Sequence, residues 1–194
     1  MQPAPRCIIF AAVLAVATVV AEQNSPAPAR TVPDSINEIW TGVEQSFIAL
    51  ADAMPADKWD FKPSEGAFKD VRTFAEQVKH VACANEAWAK KLRGEKPPAR
   101  CDLGGPNPAK TKAELMAYLK ESFQMMDAGI AATNSTNMLE PLHGPYGGDN
   151  RLAVLEFALW HATDHYGQLV LYLRLNGIVP PASRPEPPKL QDKY

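Results

Sequence analysis

The sequence predicts an all-α fold, a four-helix bundle. Three observations predict it. Four segments carry apolar residues at helical spacing, no segment alternates apolar and polar residues as a half-buried strand does, and the helical segments are separated by proline- and glycine-bearing stretches.

The N-terminal stretch stands apart from the fold. Arg6 supplies a positive start, Cys7 to Val20 is an apolar run, and Val19-Val20-Ala21 offers small residues for cleavage. This pattern predicts a secretory signal peptide over residues 1–21, cut before Glu22. The run is shorter than the roughly 20 residues a spanning helix needs. No lipoprotein-type box precedes Cys7. The expected location is periplasmic or secreted, with no stable membrane insertion after cleavage.

Residues 22–34, rich in Pro, Ala and Ser, are expected to form a flexible leader, and the bundle is expected over 35–183. Ser35-x-x-Glu38 has the form of a capping box and predicts the start of the first helix. Ile39, Val43, Phe47, Leu50 and Met54 are its expected apolar face, and Pro55 stops it. Trp59 to Gly66 is a loop whose two aromatics are expected to pack over the end of the bundle. The second helix is expected from about Asp70 to Gly94, with Val71, Phe74, Val78, Val81, Trp88 and Leu92 inward.

A loop with four prolines and the Gly104-Gly105 pair follows, over 95–110. Thr111-x-x-Glu114 opens the third helix, whose buried candidates are Leu115, Met116, Leu119, Phe123, Met126 and Ile130. Asn134 to Asn150 is a polar loop. The fourth helix starts after Asp149-Asn150 and stops at Asn176-Gly177. Residues 184–194 form a proline-rich tail.

The formal charge of the chain is −2, and removal of residues 1–21, which carry Arg6 and no acid, takes it to −3. No basic cluster is present, so a nucleic-acid partner is not expected. After cleavage two cysteines remain, Cys83 and Cys101. They can pair or stay as thiols, and spacing does not decide between these. Two cysteines do not make a thiolate zinc cluster.

Four histidines remain to carry chemistry. His161 and His165 lie four apart in Trp160-His161-Ala162-Thr163-Asp164-His165-Tyr166-Gly167-Gln168. On a helix they share one face, a turn apart, so both imidazoles can reach one metal ion. They fall on the shoulder of the buried stripe formed by Leu155, Ala158, Leu159, Ala162, Leu169 and Leu173, beside Gln168 and Tyr172. His80 sits in the second helix. Periodicity alone turns it away from that helix's apolar face, towards solvent. His143, in Leu142-His143-Gly144-Pro145, is expected in a loop. Glu76 and Asp164 are candidate bases, or helix-surface or supporting carboxylates.

The chain resembles the DinB-like metal-binding family. The resemblance is carried by Trp59 to Pro63, by Arg72-Thr73-Phe74-Ala75-Glu76-Gln77-Val78-Lys79-His80-Val81-Ala82, and by the segment from His161 to Ser183. It spans nearly all of 35–183. It implies a four-helix bundle with a divalent metal held by three histidines, here His80, His161 and His165. Imidazole suits Zn²⁺, Ni²⁺ and Fe²⁺, so the metal is left open. Some relatives are transferases or isomerases dependent on low-molecular-weight thiols, which are chiefly cytosolic, and the export signal is a departure from them. The resulting expectation is a metal-dependent enzyme, a transferase or hydrolase of unknown small-molecule substrate. The alternatives are a metal- or ligand-binding bundle without turnover and a purely structural metal. A homodimer is left open.

Overall fold

Thr31, rather than Ser35, caps the first helix. The computed structural model describes residues 30–98 and 100–185. The expected signal peptide, most of the leader and most of the tail lie outside them. Helix α1 runs over Val32–Ala53. The Thr31 hydroxyl accepts from the Asp34 N–H, and the Asp34 carboxylate accepts from the Thr31 N–H at 2.9 Å. This reciprocal box satisfies two helix-end donors that nothing else would bond. Pro33 fits in the first turn, where its missing N–H leaves no helical bond unmade. The end of the expected leader is therefore helical.

The apolar face of α1 also differs from expectation in its first half. Ile39 is 58% exposed, while Trp40 and Phe47 are fully buried, with Ile36, Leu50, Ala51 and Met54. Trp40 and Phe47 both pack against Phe123, at centroid separations of 5.2 and 6.1 Å.

After Met54 the chain makes a 3-10 turn, Ala56–Lys58, and then crosses the end of the bundle. Trp59 is buried, donates from Nε1 to the Met54 carbonyl at 3.0 Å, and meets Phe74 edge-on at 5.5 Å. Phe61 meets Tyr172 edge-on at 6.0 Å. The carbonyls of Phe61 and Trp59 accept from the N–H groups of Phe74 and Ala75. The loop thus satisfies the free donors at the start of the next helix.

Helix α2 spans Phe74–Leu92, with a Thr73/Glu76 capping box. It starts later than Asp70 because Asp70 has φ +66°, a left-handed conformation that cannot belong to a right-handed helix. Helix α3 spans Lys112–Ala131 behind the Thr111/Glu114 box, and its six expected inward residues are all buried. Helix α4 spans Arg151–Leu175. The Asn150 side chain accepts from Ala153 N–H at 2.9 Å, and the helix ends at Asn176 with Gly177 at φ +71°. A short 3-10 turn, Pro181–Ser183, packs back on α1.

Each helix packs chiefly on two others. α1 lies against α3 and α4, and α2 lies against α3 and α4. The order around the bundle is therefore α1, α3, α2, α4, and both the 54–73 and 132–150 connections cross a diagonal. No strand occurs among the described residues, and no helix there is long and apolar enough to cross a membrane.

The 132–150 connection is held by an unusual group for a core. Lys91 is only 6% exposed, and its ammonium donates to the carbonyls of Gly144, Gly147 and Gly148 at 3.2, 2.9 and 2.7 Å. A buried cation survives when its hydrogen bonds are supplied from fixed acceptors. The same loop accepts from Trp88 Nε1 through the Tyr146 carbonyl at 2.8 Å, which steadies the indole beside α4.

Candidate metal centre

Helices α2 and α4 are neighbours, and their facing sides bring three imidazoles together. His161 and His165 stand one turn apart on α4, and His80 reaches them from α2. His161 Nε2 lies 3.1 Å from His80 Nε2 and 3.0 Å from His165 Nε2. The ligating atoms of all three lie within 4.8 Å of one another. Among the described residues no carboxylate or thiolate joins this group.

His80 therefore faces its partners rather than solvent, contrary to its helical periodicity. The reason is that α2 is not a surface helix with one wet side. Gln77, Cys83, Ala84, Asn85, Ala87 and Ala89 are buried along with Phe74, Val78, Val81, Trp88 and Leu92 of the expected face, while Val71 lies before the helix and is half-buried. The loop after α2 covers the side that a helical wheel assigns to water, through a Cys83–Cys101 disulfide with Cα atoms 5.5 Å apart. His143 is exposed in its loop, as expected.

Each outer nitrogen has a definable environment except one. His80 Nδ1 lies 2.6 Å from the Cys101 carbonyl oxygen. A carbonyl only accepts, so Nδ1 carries the hydrogen and Nε2 presents a lone pair. His165 Nδ1 lies 2.6 Å from Gln77 Nε2, which also donates to Gln168 Oε1 at 2.5 Å. Gln168 in turn donates to Asp164 at 2.8 Å. His161 Nδ1 is buried with no hydrogen-bond partner, and its ring meets the Trp88 indole edge-on at 4.9 Å.

These partners leave the inner nitrogens in conflict. An amide nitrogen donates, so His165 Nδ1 accepts and its Nε2 hydrogen points at His161 Nε2. If His161 Nε2 accepts that hydrogen, it meets the His80 Nε2 lone pair with a lone pair at 3.1 Å. If His161 Nε2 is protonated instead, it satisfies His80 but opposes the His165 N–H at 3.0 Å. With the Gln77 amide nitrogen turned to His165, no set of neutral tautomers satisfies the triangle. Adding a proton is also disfavoured. Burial, and then the charges of His165, His80 and Arg72, push the His161 pKa down to about 2. Burial, and then the His80 charge, push His165 down to about 4, against the pull of Asp164. Burial also lowers His80, against its bond to the Cys101 carbonyl. Three neutral imidazoles with converging nitrogens fit a divalent cation, which needs deprotonated ligands. At zinc–nitrogen distances of about 2.0–2.1 Å, tetrahedral angles place ligand nitrogens roughly 3.3 Å apart, a few tenths of an ångström from the separations found.

The candidate bases are otherwise engaged. Glu76 caps α2, accepting from Thr73 N–H at 2.8 Å, and Asp164 accepts from Gln168. Residues that motif reading passed over prove to matter. Gln77 is 2% exposed and holds His165, and the Cys101 backbone holds His80. Gln77 lies three residues before His80, one turn away on the same helix, and this spacing was its available signal.

A family model of the DinB superfamily matches residues 39–169, a span that contains all three histidines. The chain belongs to the DinB superfamily. Four α-helices and no strand among the described residues agree with that membership, as does the histidine cluster, which is compatible with metal binding. A search of curated proteins finds no match to the chain.

Proposed function

We propose that His80, His161 and His165 hold one divalent metal ion with a coordination position left for water or substrate, and that the chain is an exported metal-dependent enzyme. The observation that carries this reading is the convergence of three buried or half-buried imidazoles, with Nε2 atoms 3.0 and 3.1 Å apart and all ligating nitrogens within 4.8 Å of one another. A metal in such a site supplies Lewis acidity, polarising a carbonyl or lowering the pKa of bound water or thiol.

The residues of this chain would do the rest. With Nε2 bound, His165 carries its hydrogen on Nδ1, and half a turn of the Gln77 amide, with the Gln168 oxygen moving off it, presents an oxygen to accept it. His80 already has that tautomer. Arg72 donates from Nε to the Asp102 carbonyl at 2.5 Å, and its charge is felt by all three imidazoles. A ligand bringing negative charge is therefore favoured at this site.

Export rests on the charged start, apolar run and small-residue end of residues 1–21, and a disulfide fits an oxidising compartment. Secreted protein should begin at Glu22 on N-terminal sequencing, and a mature chain beginning at Met1 would exclude cleavage. A binding bundle without turnover is the second reading, and the engagement of Glu76 and Asp164 as cap and hydrogen-bond acceptor favours it.

Cobalt(II) distinguishes the readings. Stoichiometric loading should give an absorption spectrum that changes when azide or a small thiol is added, as an open position requires. A spectrum indifferent to every added ligand would mark a closed, structural site. Metal-dependent turnover across a panel of esters, amides and thiol acceptors, lost in His161→Ala, would support the enzyme. Silence across that panel would favour the binding bundle.

A further inference from the structure

One residue of the loop after α2 touches the site twice. Cys101 bonds covalently to Cys83 through its sulfur, and its carbonyl accepts from His80 Nδ1 at 2.6 Å. His80 and Cys83 stand one turn apart on α2. We propose that the Cys83–Cys101 disulfide is a positioning device for His80: it fixes the carbonyl that sets the tautomer and orientation of this imidazole, and thereby the metal affinity of the centre. This rests on the metal-site reading above.

The loop lies closer to α2 than an ordinary chain could. A Cβ added at Gly104 would fall on the Lys79 side chain, 2.2 Å from Cγ, and one at Gly105 would come within 2.4 Å of Cys83 Sγ. Both residues have positive φ, +86° and +68°. The glycine pair lets the backbone lie down on the helix, and the disulfide holds it there. Cys101 is 5% exposed and Cys83 is fully buried, so the bridge is part of the packed interior.

The Cys101 carbonyl uses both of its lone pairs. It accepts from Gly104 N–H at 2.9 Å, closing the turn, and from His80. The other ties of the loop among the described residues are noncovalent, and they include a hydrogen bond from the Tyr146 hydroxyl to the Pro98 carbonyl at 2.6 Å. The Arg100–Asp102 ion pair is exposed on both sides, and such pairs contribute little. Arg72 holds the Asp102 carbonyl by one hydrogen bond. Among the described residues no second covalent tie keeps the Cys101 oxygen on His80. An imidazole without that partner samples both tautomers and other ring orientations. Partners of this kind typically govern metal affinity by about 10–100-fold.

The test uses the full mature chain in its oxidised form, with Zn²⁺ as probe, in competition with a chromophoric chelator. Four proteins are compared: wild type, Cys83→Ser/Cys101→Ser, His80→Ala, and the triple variant. The double serine variant should lose about 10–100-fold in zinc affinity. In the His80→Ala background the same serine pair should change affinity less than about twofold, because the orienting bond has no imidazole to act on. Wild-type affinity in a folded double serine variant would overturn the proposal. So would equal losses in both backgrounds, which would mean general loosening.

A metal-free readout covers a variant that fails to fold. In oxidised wild type, nitrogen-15 NMR should show His80 protonated on Nδ1. Reduction with a phosphine, which takes up oxygen from water as the disulfide becomes two thiols, should shift it towards a tautomer mixture. An unchanged His80 on full reduction would refute the positioning role. Wild type that binds no zinc while His80 still responds to reduction would sink the metal reading, and with it the effect on affinity, but not the positioning itself.

Discussion

Gln77 offers the sharpest perturbation of the centre that leaves every proposed ligand in place. It is buried at the α2–α4 contact, 2.6 Å from His165 Nδ1 and 2.5 Å from Gln168 Oε1. Gln77→Leu keeps the volume and removes both bonds. His165 Nδ1 is then left buried without a partner, and no amide remains that could turn its oxygen to Nδ1 and hold the tautomer that frees Nε2. The expected loss in metal affinity is about 10–100-fold, which corresponds to roughly 1.4–2.7 kcal/mol. The metal-free protein should also lose about 1–3 kcal/mol of stability for the unpaired polar groups. Gln77→Glu predicts the opposite in affinity. A carboxylate on Nδ1 fixes the required tautomer and raises the basicity of the imidazole, so binding should equal or exceed wild type, although the metal-free form is destabilised by a buried charge. Competitive chelator titration reads affinity, and urea unfolding with chelator present reads stability. Wild-type affinity in Gln77→Leu would refute the reasoning, as would equal losses in the two variants.

Further outcomes follow from the buried charges. Lys91→Met removes three hydrogen bonds from a nearly inaccessible ammonium and should cost about 2–3 kcal/mol, seen as a lower urea midpoint; an unchanged midpoint would show the 144–148 loop to be held by other means. Metal-free protein should weaken in acid. The His161 pKa falls from 6.5 in the unfolded chain to about 2 in the fold, so the unfolded chain takes up the proton first. Stability is complete above 6.5 and is lost progressively as pH drops below it. At about 1.36 kcal/mol per pH unit, His161 alone accounts for roughly 2 kcal/mol at pH 5. Unfolding at pH 7 and pH 5 should show this difference, and His161→Ala should shrink it; an undiminished difference in that variant would assign the acid sensitivity elsewhere.

Most of the fold was legible because the relevant signals are local. Thr111-x-x-Glu114, Asn150 and Asn176-Gly177 mark helix ends by chemistry confined to a few residues, and all three act where expected. The face of α1 went astray because Ile39, Val43 and Phe47 are each four apart. Successive steps of four drift around a helix, leaving Ile39 about 80° from Phe47 at roughly 100° per residue. Alternating steps of four and three, through Ile36, Trp40, Val43, Phe47, Leu50 and Met54, hold one line and would have chosen Trp40.

The candidate metal centre was legible unevenly, for a similar reason. His161 and His165 needed only the rise of one helix. His80 needed knowledge that a loop residue 21 positions further on returns to cover α2, which no wheel drawn on that helix contains. Its alanine-rich stretch from Ala82 to Ala89, with few charges, was the local hint that α2 is enclosed on more than one side. Resemblance to the family brought in the third histidine of the cluster, which periodicity did not.

Metal content by elemental mass spectrometry tests the central claim most directly. Wild type, His80→Ala, His161→Ala, His165→Ala and His143→Ala would be purified identically, loaded with zinc and freed of excess. One ion per chain is expected in wild type and in His143→Ala, whose imidazole lies exposed in a loop away from the cluster. Stoichiometric retention should be lost in His161→Ala and His165→Ala and weakened in His80→Ala. Equal metal content in all five proteins would place any bound ion elsewhere and contradict a centre built from these three histidines.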